Sequence, residues 1–386
     1  MKKVYFDNNA TTPIHPEVAH FVKPFFNELF GNPSSLHWAG REARVYFEKA
    51  REQVAGIIHA EIGEVVFTSS GTESDNHAIK GVAYAKRDKG NHIITTKIEH
   101  PAVLNTCKYL ESKGFDVTYL PVDGNGQIDL EDLKRAIRRN TILISVMYAN
   151  NETGTLLPIK EIGEIAKDSN IIVHSDMVQA MGKIDIDIEA LNVDLASFSG
   201  HKVYAPKGVG AIYIREGLEI DNLIHGGHQE ASRRAGTENV IGIVAFGKTC
   251  EIVRTEMEEE NRKIEYLRKR LLEGIMERVE HVRLNGHPSN RLPNTLNLSF
   301  EYVEAESLLI ALDLNEIAVS SGSACSSGST EPSHVLLAMG IPSEVCQSAV
   351  RLSLGRENTE EDVDYALSVI PGVVNRLREM SPFYKK

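Results

Sequence analysis

Between residues 60 and 215, short β-branched runs alternate with helix-length amphipathic segments, and few folds accept that alternation. A strand, a crossover helix and the next strand must lie parallel in one sheet whose faces are covered by the helices. The predicted strands are 64–69, 92–96, 116–120, 141–147, 171–174, 195–199 and 209–214, and the helices between them include 73–88, 102–113, 130–138 and 159–169. The expectation is an α/β chain built on a mostly parallel seven-stranded sheet. Open sheets of this kind bind ligands beyond the carboxyl ends of their strands.

At 386 residues the chain exceeds what one core usually supports, about 250–300 residues, so a second domain is expected. A long charged helix over 249–278 carries Ile252, Met257, Ile264, Leu267, Leu271, Ile275 and Val279 at spacings that suit one face. After it come a strand at 294–300, a helix at 304–312, a Ser/Gly-rich loop at 320–329, a strand at 349–354 and a helix at 359–378. The predicted division is a large domain over 15–255 and a smaller α+β domain formed by 1–14 and 256–386, which carries the Ser/Gly loop.

Several classes of function are disfavoured. The 42 basic against 54 acidic residues give a net charge of −12 with no basic cluster, which argues against direct nucleic-acid or anionic-membrane binding. No apolar run approaches a membrane span or a signal peptide, so a cytoplasmic protein is expected. The four cysteines, Cys107, Cys250, Cys325 and Cys346, form neither a disulfide framework nor a zinc spacing. His225 and His228 flank Gly226-Gly227 without a third ligand nearby and read as a turn, so no metal site is expected. Gly242-Ile-Val-Ala-Phe-Gly247-Lys248-Thr249 matches the phosphate-loop pattern. Its apolar variable positions, continuing Val240 and Ile241, read instead as buried turns of the long helix.

The informative residues fall at predicted strand ends. Ser69-Ser-Gly71-Thr72-Glu73-Ser74 follows a strand and opens a helix, and reads equally as an anion site or as a plain N-cap by Ser70 or Thr72. Glu99-His100, Asp176 with Gln179, and Ser199 with His201-Lys202 follow three further strands. Together they suit a pyridine-ring cofactor that carries an aldehyde and a phosphate. Asp176 would keep the ring nitrogen protonated, Lys202 would form an imine with the aldehyde, Gly71 and Thr72 would take the phosphate, and His100 would stack on the ring.

The chain resembles cysteine desulfurases of the NifS/IscS type, fold-type I pyridoxal-phosphate enzymes of the class-V aminotransferase family. The resemblance runs through Val4-Tyr-Phe-Asp-Asn-Asn-Ala-Thr-Thr-Pro13, Gly31-Asn-Pro-Ser-Ser35, Ser70-Gly-Thr-Glu-Ser74, Glu99-His-Pro101, Ala149-Asn-Asn-Glu-Thr-Gly154 and Ser199-Gly-His-Lys202. It continues through Gly226-Gly227, Arg234-Ala-Gly-Thr-Glu-Asn239, Ser323-Ala-Cys-Ser326, Arg351-Leu-Ser-Leu-Gly-Arg356 and Leu377-Arg-Glu-Met-Ser-Pro382. It implies pyridoxal 5'-phosphate on Lys202, with Asp176 at the ring nitrogen, His100 stacking, and Gln179 and Asn151 near the ring hydroxyl. Phosphate contacts are implied for Gly71, Thr72, Ser199 and His201, and for Thr237 from the other subunit of a homodimer. Arg351, with Arg356 as a second candidate, is implied to clamp the substrate carboxylate, to which a guanidinium fork is suited.

The implied reaction takes sulfur from L-cysteine, leaving L-alanine and a persulfide on Cys325. That sulfur would pass to an acceptor protein such as an iron–sulfur scaffold or a tRNA-thiolation relay. Cys107, Cys250 and Cys346 are expected to be packing residues. The rival readings are a selenocysteine lyase, another class-V enzyme such as an aminotransferase, and a non-catalytic docking partner. Two departures from the pattern are Gly200 and Met177, and Met177 is expected to reshape the cofactor pocket.

Overall fold

The computed structural model describes residues 2–321, 332–382 and 384. Strand β1 (Val4–Tyr5) and helices α1 (Pro16–Phe21) and α2 (Trp38–Ile57) precede the main sheet. The sheet's strands are β2 (Val65–Thr68), β3 (His92–Thr96), β4 (Asp116–Leu120), β5 (Thr141–Ser145), β6 (Ile172–Asp176), β7 (Leu195–Ser199) and β8 (Gly210–Ile214). The order across it is β2-β8-β7-β6-β5-β3-β4. β4, β3, β5, β6 and β7 run parallel, whereas β8 is antiparallel to both β7 and β2. Two reversals restore direction, so β2 ends at the same edge as β7, with Thr68 and Ser199 both paired to Gly210.

Helices α3 (Gly71–Ala85), α4 (Pro101–Glu111), α5 (Leu130–Ala136) and α6 (Ile159–Asp168) connect these strands. β2, β3, β5, β7 and β8 are buried at every position, which is why they appear in sequence as continuous β-branched and apolar runs without alternation.

Helix α7 (Val240–Arg278) begins nine residues before its predicted start, and the glycine-rich 242–249 stretch lies inside it, where no phosphate loop can form. Its first half contributes Ile243, Phe246, Cys250 and Val253 to the core around the main sheet. Its second half contributes Ile264, Leu267, Leu271 and Ile275 to a separate core with Val4, Phe6, Leu296, Leu298, Val350 and Leu352. That second core rests on antiparallel strands β9 (Val282–Leu284), β10 (Thr295–Phe300), β12 (Ser320–Ser321) and β13 (Ala349–Ser353), and on β11 (Ile317–Ala318) paired with β1. Helices α8 (Ala305–Asp313), α9 (His334–Ala338), α10 (Ser343–Cys346) and α11 (Glu360–Met380) complete the chain. Val335, Leu336 and Cys346 belong to the core of the main sheet.

Candidate active site

At the carboxyl edge of the sheet a cavity of about 280 Å³ is lined by Gly71, Thr72, His100, Asn151, Asp176, Gln179, Ser199, His201, Lys202 and Arg351, among others. Each arrives by a short local route. Ser70 caps α3, its hydroxyl accepting from Glu73 N at 3.1 Å, so the capping reading holds and the helix N-terminus also opens on the cavity. A Cβ on Gly71 would lie 2.6 Å from Cγ2 of Val178, so only glycine brings this helix start so close to the turn after β6. That end, with Ser199 and His201, presents amides, hydroxyls and an imidazole suited to a phosphate.

At the other end Asp176 closes β6. Burial pushes its carboxyl up to about 6, while a hydrogen bond from Val178 N, at 2.9 Å, and Lys202 favour the ionised form. Asp75 of α3 also lines the cavity, with a buried Oδ1 that has no hydrogen-bond partner. Its carboxyl is driven well above the ordinary range by burial and then by Asp176, so it is the protonated member of the two. His100 caps α4, its Nδ1 accepting from Ala102 N at 3.1 Å, which places the ring proton on Nε2. Burial, then Lys202, lowers His100 to about 4, leaving a neutral ring. His174 behind Asp176 is likewise held neutral by burial, its ring bonded to Ser145 and Ser197.

Lys202 lies in the 3-10 turn after β7, and its Nζ donates to the carbonyls of Asn9 at 2.6 Å and Ala10 at 2.7 Å. Arg351 of β13 is 1% exposed, with Nη2 on Asp7 Oδ1 at 2.9 Å and Nη1 on the Asn151 carbonyl at 3.0 Å.

A pyridoxal phosphate fits this donor set. The α3 start suits its phosphate, Asp176 a protonated ring nitrogen, neutral His100 the ring face, and Lys202 the aldehyde. Seen alone, Asp75, His100 and Asp176, with one ligand atom each within 4.8 Å of the others, also resemble a metal triad. The anion cradle and the lysine in the same cavity account for them better.

The model of class-V aminotransferases matches residues 4–366 of this chain. The chain belongs to the class-V aminotransferase family. Family members are pyridoxal-phosphate enzymes, in accord with the donor set. The chain is 55% identical to the cysteine desulfurase IscS of Methanosarcina thermophila over all of its own length and 95% of the relative's. It is 54% identical to the IscS of Clostridium botulinum over all of its length and 97% of the relative's. A solved NifS-like protein superposes with a TM-score of 0.92 at 43% identity, covering 97% of this chain and all of that one. SspA, solved in complex with cysteine, superposes with a TM-score of 0.82 at 38% identity over 93% of this chain and all of that one.

Two predicted residues that the structure describes are not in the cavity, Thr237 and the second clamp candidate Arg356, which pairs with Glu256 and Glu260 instead. Thr237 lines a different cavity with Arg234, Gly236 and Glu238, and Cys325 lies outside the described residues. Met177 does not itself line the cavity. Its side chain is fully buried in the core of the main sheet, and it is Val178, in the turn after β6, that lines the cavity. Cys107, Cys250 and Cys346 are buried, and burial raises all three thiols, Cys107 to about 12 and Cys346 to about 11. Sequence reasoning missed Asn9, Ala10 and Asp75. Asp75 carried a usable signal, since it lies one turn into the helix whose start is the anion site.

Proposed function

We infer that this chain is a cysteine desulfurase that removes sulfur from L-cysteine, releases L-alanine and passes the sulfur on from Cys325. The reading rests on one observation above all. Lys202, Asp176, neutral His100 and Arg351 share a single cavity, in a chain 55% identical to a cysteine desulfurase. A relative 38% identical is solved with cysteine, which supports the choice of amino acid.

Bound pyridoxal phosphate supplies an electron sink that stabilises negative charge next to the substrate's amine-bearing carbon. Arg351 holds the substrate carboxylate, and Lys202 takes the proton from Cα at Nζ and returns a proton to Cα after the sulfur has left. His100, neutral with its proton on Nε2, covers the ring face. The thiolate of Cys325 attacks the substrate sulfur: an S–S bond forms as the Cβ–S bond breaks, and Cβ takes up a proton to become the methyl group of alanine. Burial keeps the three described cysteines protonated, which supports assigning the nucleophile to Cys325.

Thr237 lies outside its own chain's cofactor cavity, which supports a homodimer in which it reaches the partner's phosphate. Exposed Phe26, Phe30, Leu36, Trp38 and Val45 offer apolar area for such a contact. A fully active monomer by sedimentation would exclude it. The acceptor proposed for the sulfur is an iron–sulfur scaffold or a thiolation relay. No helix among the described residues is long and apolar enough to cross a membrane, and a cytoplasmic setting is proposed.

The deciding experiment is Cys325→Ser. The variant is expected to keep the visible absorbance of cofactor on Lys202 and to release almost no alanine from cysteine. The wild type should gain one reductant-sensitive sulfur on the peptide holding Cys325. Sulfur found on Cys107, Cys250 or Cys346, or normal turnover by the serine variant, would make a selenocysteine lyase the better reading.

A further inference from the structure

Lys183 is a partly buried lysine that the reaction above does not use. It lies four residues after Gln179 and donates to that residue's carbonyl at 3.1 Å and to its side-chain Oε1 at 3.0 Å. Gln179 Nε2 donates in turn to the Asn9 carbonyl at 3.0 Å, and the same carbonyl accepts from Lys202 Nζ at 2.6 Å. Two lysines therefore form the donor ends of one hydrogen-bond chain that passes through Gln179 and Asn9.

An amine presents donors to an amide, and a primary amide has one accepting and one donating end. With Oε1 occupied by Lys183, the –NH2 of Gln179 is turned to Asn9, and its second hydrogen is left for an acceptor in the cavity that Gln179 lines. Without Lys183, a buried amide oxygen would lack its partner and would compete for the nearby donor on Lys202.

We propose that Lys183 is a positioning residue for the cofactor: by holding the oxygen of Gln179 it keeps that amide a hydrogen-bond donor toward the ring hydroxyl. This rests on the assignment of pyridoxal phosphate to the Lys202 cavity.

The charged groups facing Lys183 are Lys202 in the turn after β7, Arg351 of β13 and Glu260 of α7. Glu260 also accepts from the Tyr204 hydroxyl and lies 3.9 Å from Arg356. His201 faces Lys183 too. Burial, then Lys202 and Arg351, lowers Lys183 to about 7 against the opposing pull of Glu260, so ammonium and amine forms coexist near neutral pH and either can donate to Gln179.

The test is a pH titration of the visible absorbance of the holoprotein. A donor on the ring oxygen favours its ionised form and lowers the pH at which the Lys202-bound chromophore loses its proton. Its loss should raise that pH by about one unit. Lys183→Met and Gln179→Ala are each expected to show that rise, and the double variant no further rise. Lys183→Gln, which retains a donor without a charge, should titrate as the wild type does. Wild-type titration by Lys183→Met, additive shifts in the double variant, or a Lys183→Gln that behaves as Lys183→Met would each overturn the proposal. If borohydride fails to fix cofactor on Lys202 in the wild type, the cofactor assignment fails instead, independently of Lys183.

Discussion

Replacing Arg351 by lysine keeps a positive charge and removes the planar fork, so it separates charge from geometry at the carboxylate clamp. In the structure the guanidinium is fully buried on β13, opposite Asn297 of β10 and Ser320 of β12, and it is aimed by Asp7 and the Asn151 carbonyl. A lysine ammonium can satisfy one of these anchors or reach the substrate, but it cannot present two parallel N–H groups. With the ammonium held by Asp7 or the Asn151 carbonyl, two hydrogen bonds to a charged carboxylate are lost, which at about 1.5 kcal/mol each is about 3 kcal/mol. At about 1.4 kcal/mol per tenfold this is about two orders of magnitude in KM for cysteine. The clamp is remote from the breaking Cβ–S bond, so kcat should change far less. Steady-state alanine release gives both constants, and the visible absorbance reports cofactor content in the same samples. A fall in kcat at unchanged KM would refute the clamp. So would loss of the absorbance, which would make Arg351 part of the cofactor site.

Arg51 and Glu230 form a buried bidentate pair, at 2.7 and 2.8 Å, and Glu230 also accepts from Phe67 N at the heart of β2, the strand that leads to the α3 anion site. Glu230→Ala leaves the buried guanidinium with only the Glu48 carboxylate at 3.2 Å and the Val65 carbonyl at 2.8 Å, and removes the acceptor of Phe67 N. It should lower stability in urea unfolding by about 3 kcal/mol. Arg51→Met combined with Glu230→Leu should recover much of that, and simple additivity of the single losses would contradict it. Glu99 is raised from 4.5 to about 8, first by burial, so the folded state holds a proton that the unfolded state has released. Its contribution is therefore full below pH 4.5 and is lost as the pH rises to about 8. Glu99→Gln should be flatter over that window, and an unchanged slope of stability against pH would count against a protonated Glu99.

The parallel sheet was legible because doubly buried strands must be written as continuous β-branched runs, and the ligand edge followed from where strands end. Gly71, Thr72, His100, Asp176 and Lys202 could be placed at that edge from local order alone, since each lies within a few residues of a strand end. Their roles were legible only from the set taken together and from the family pattern, because a lone histidine or aspartate after a strand has many ordinary uses.

Other features depend on distance in the chain. The carbonyls of Asn9 and Ala10 meet Lys202 from 193 and 192 residues away. Asp7 meets Arg351 across 344 residues. A backbone carbonyl also carries no side-chain signature that a sequence could display. The antiparallel β8, which turns β2 so that its end joins the site, is an outcome of strand pairing and not of composition. Residue by residue, the chain determined which groups could do the chemistry. Which of them became neutral, charged or aimed was decided by burial and by partners that only the folded structure brings together, since pKa and hydrogen-bond direction are properties of surroundings.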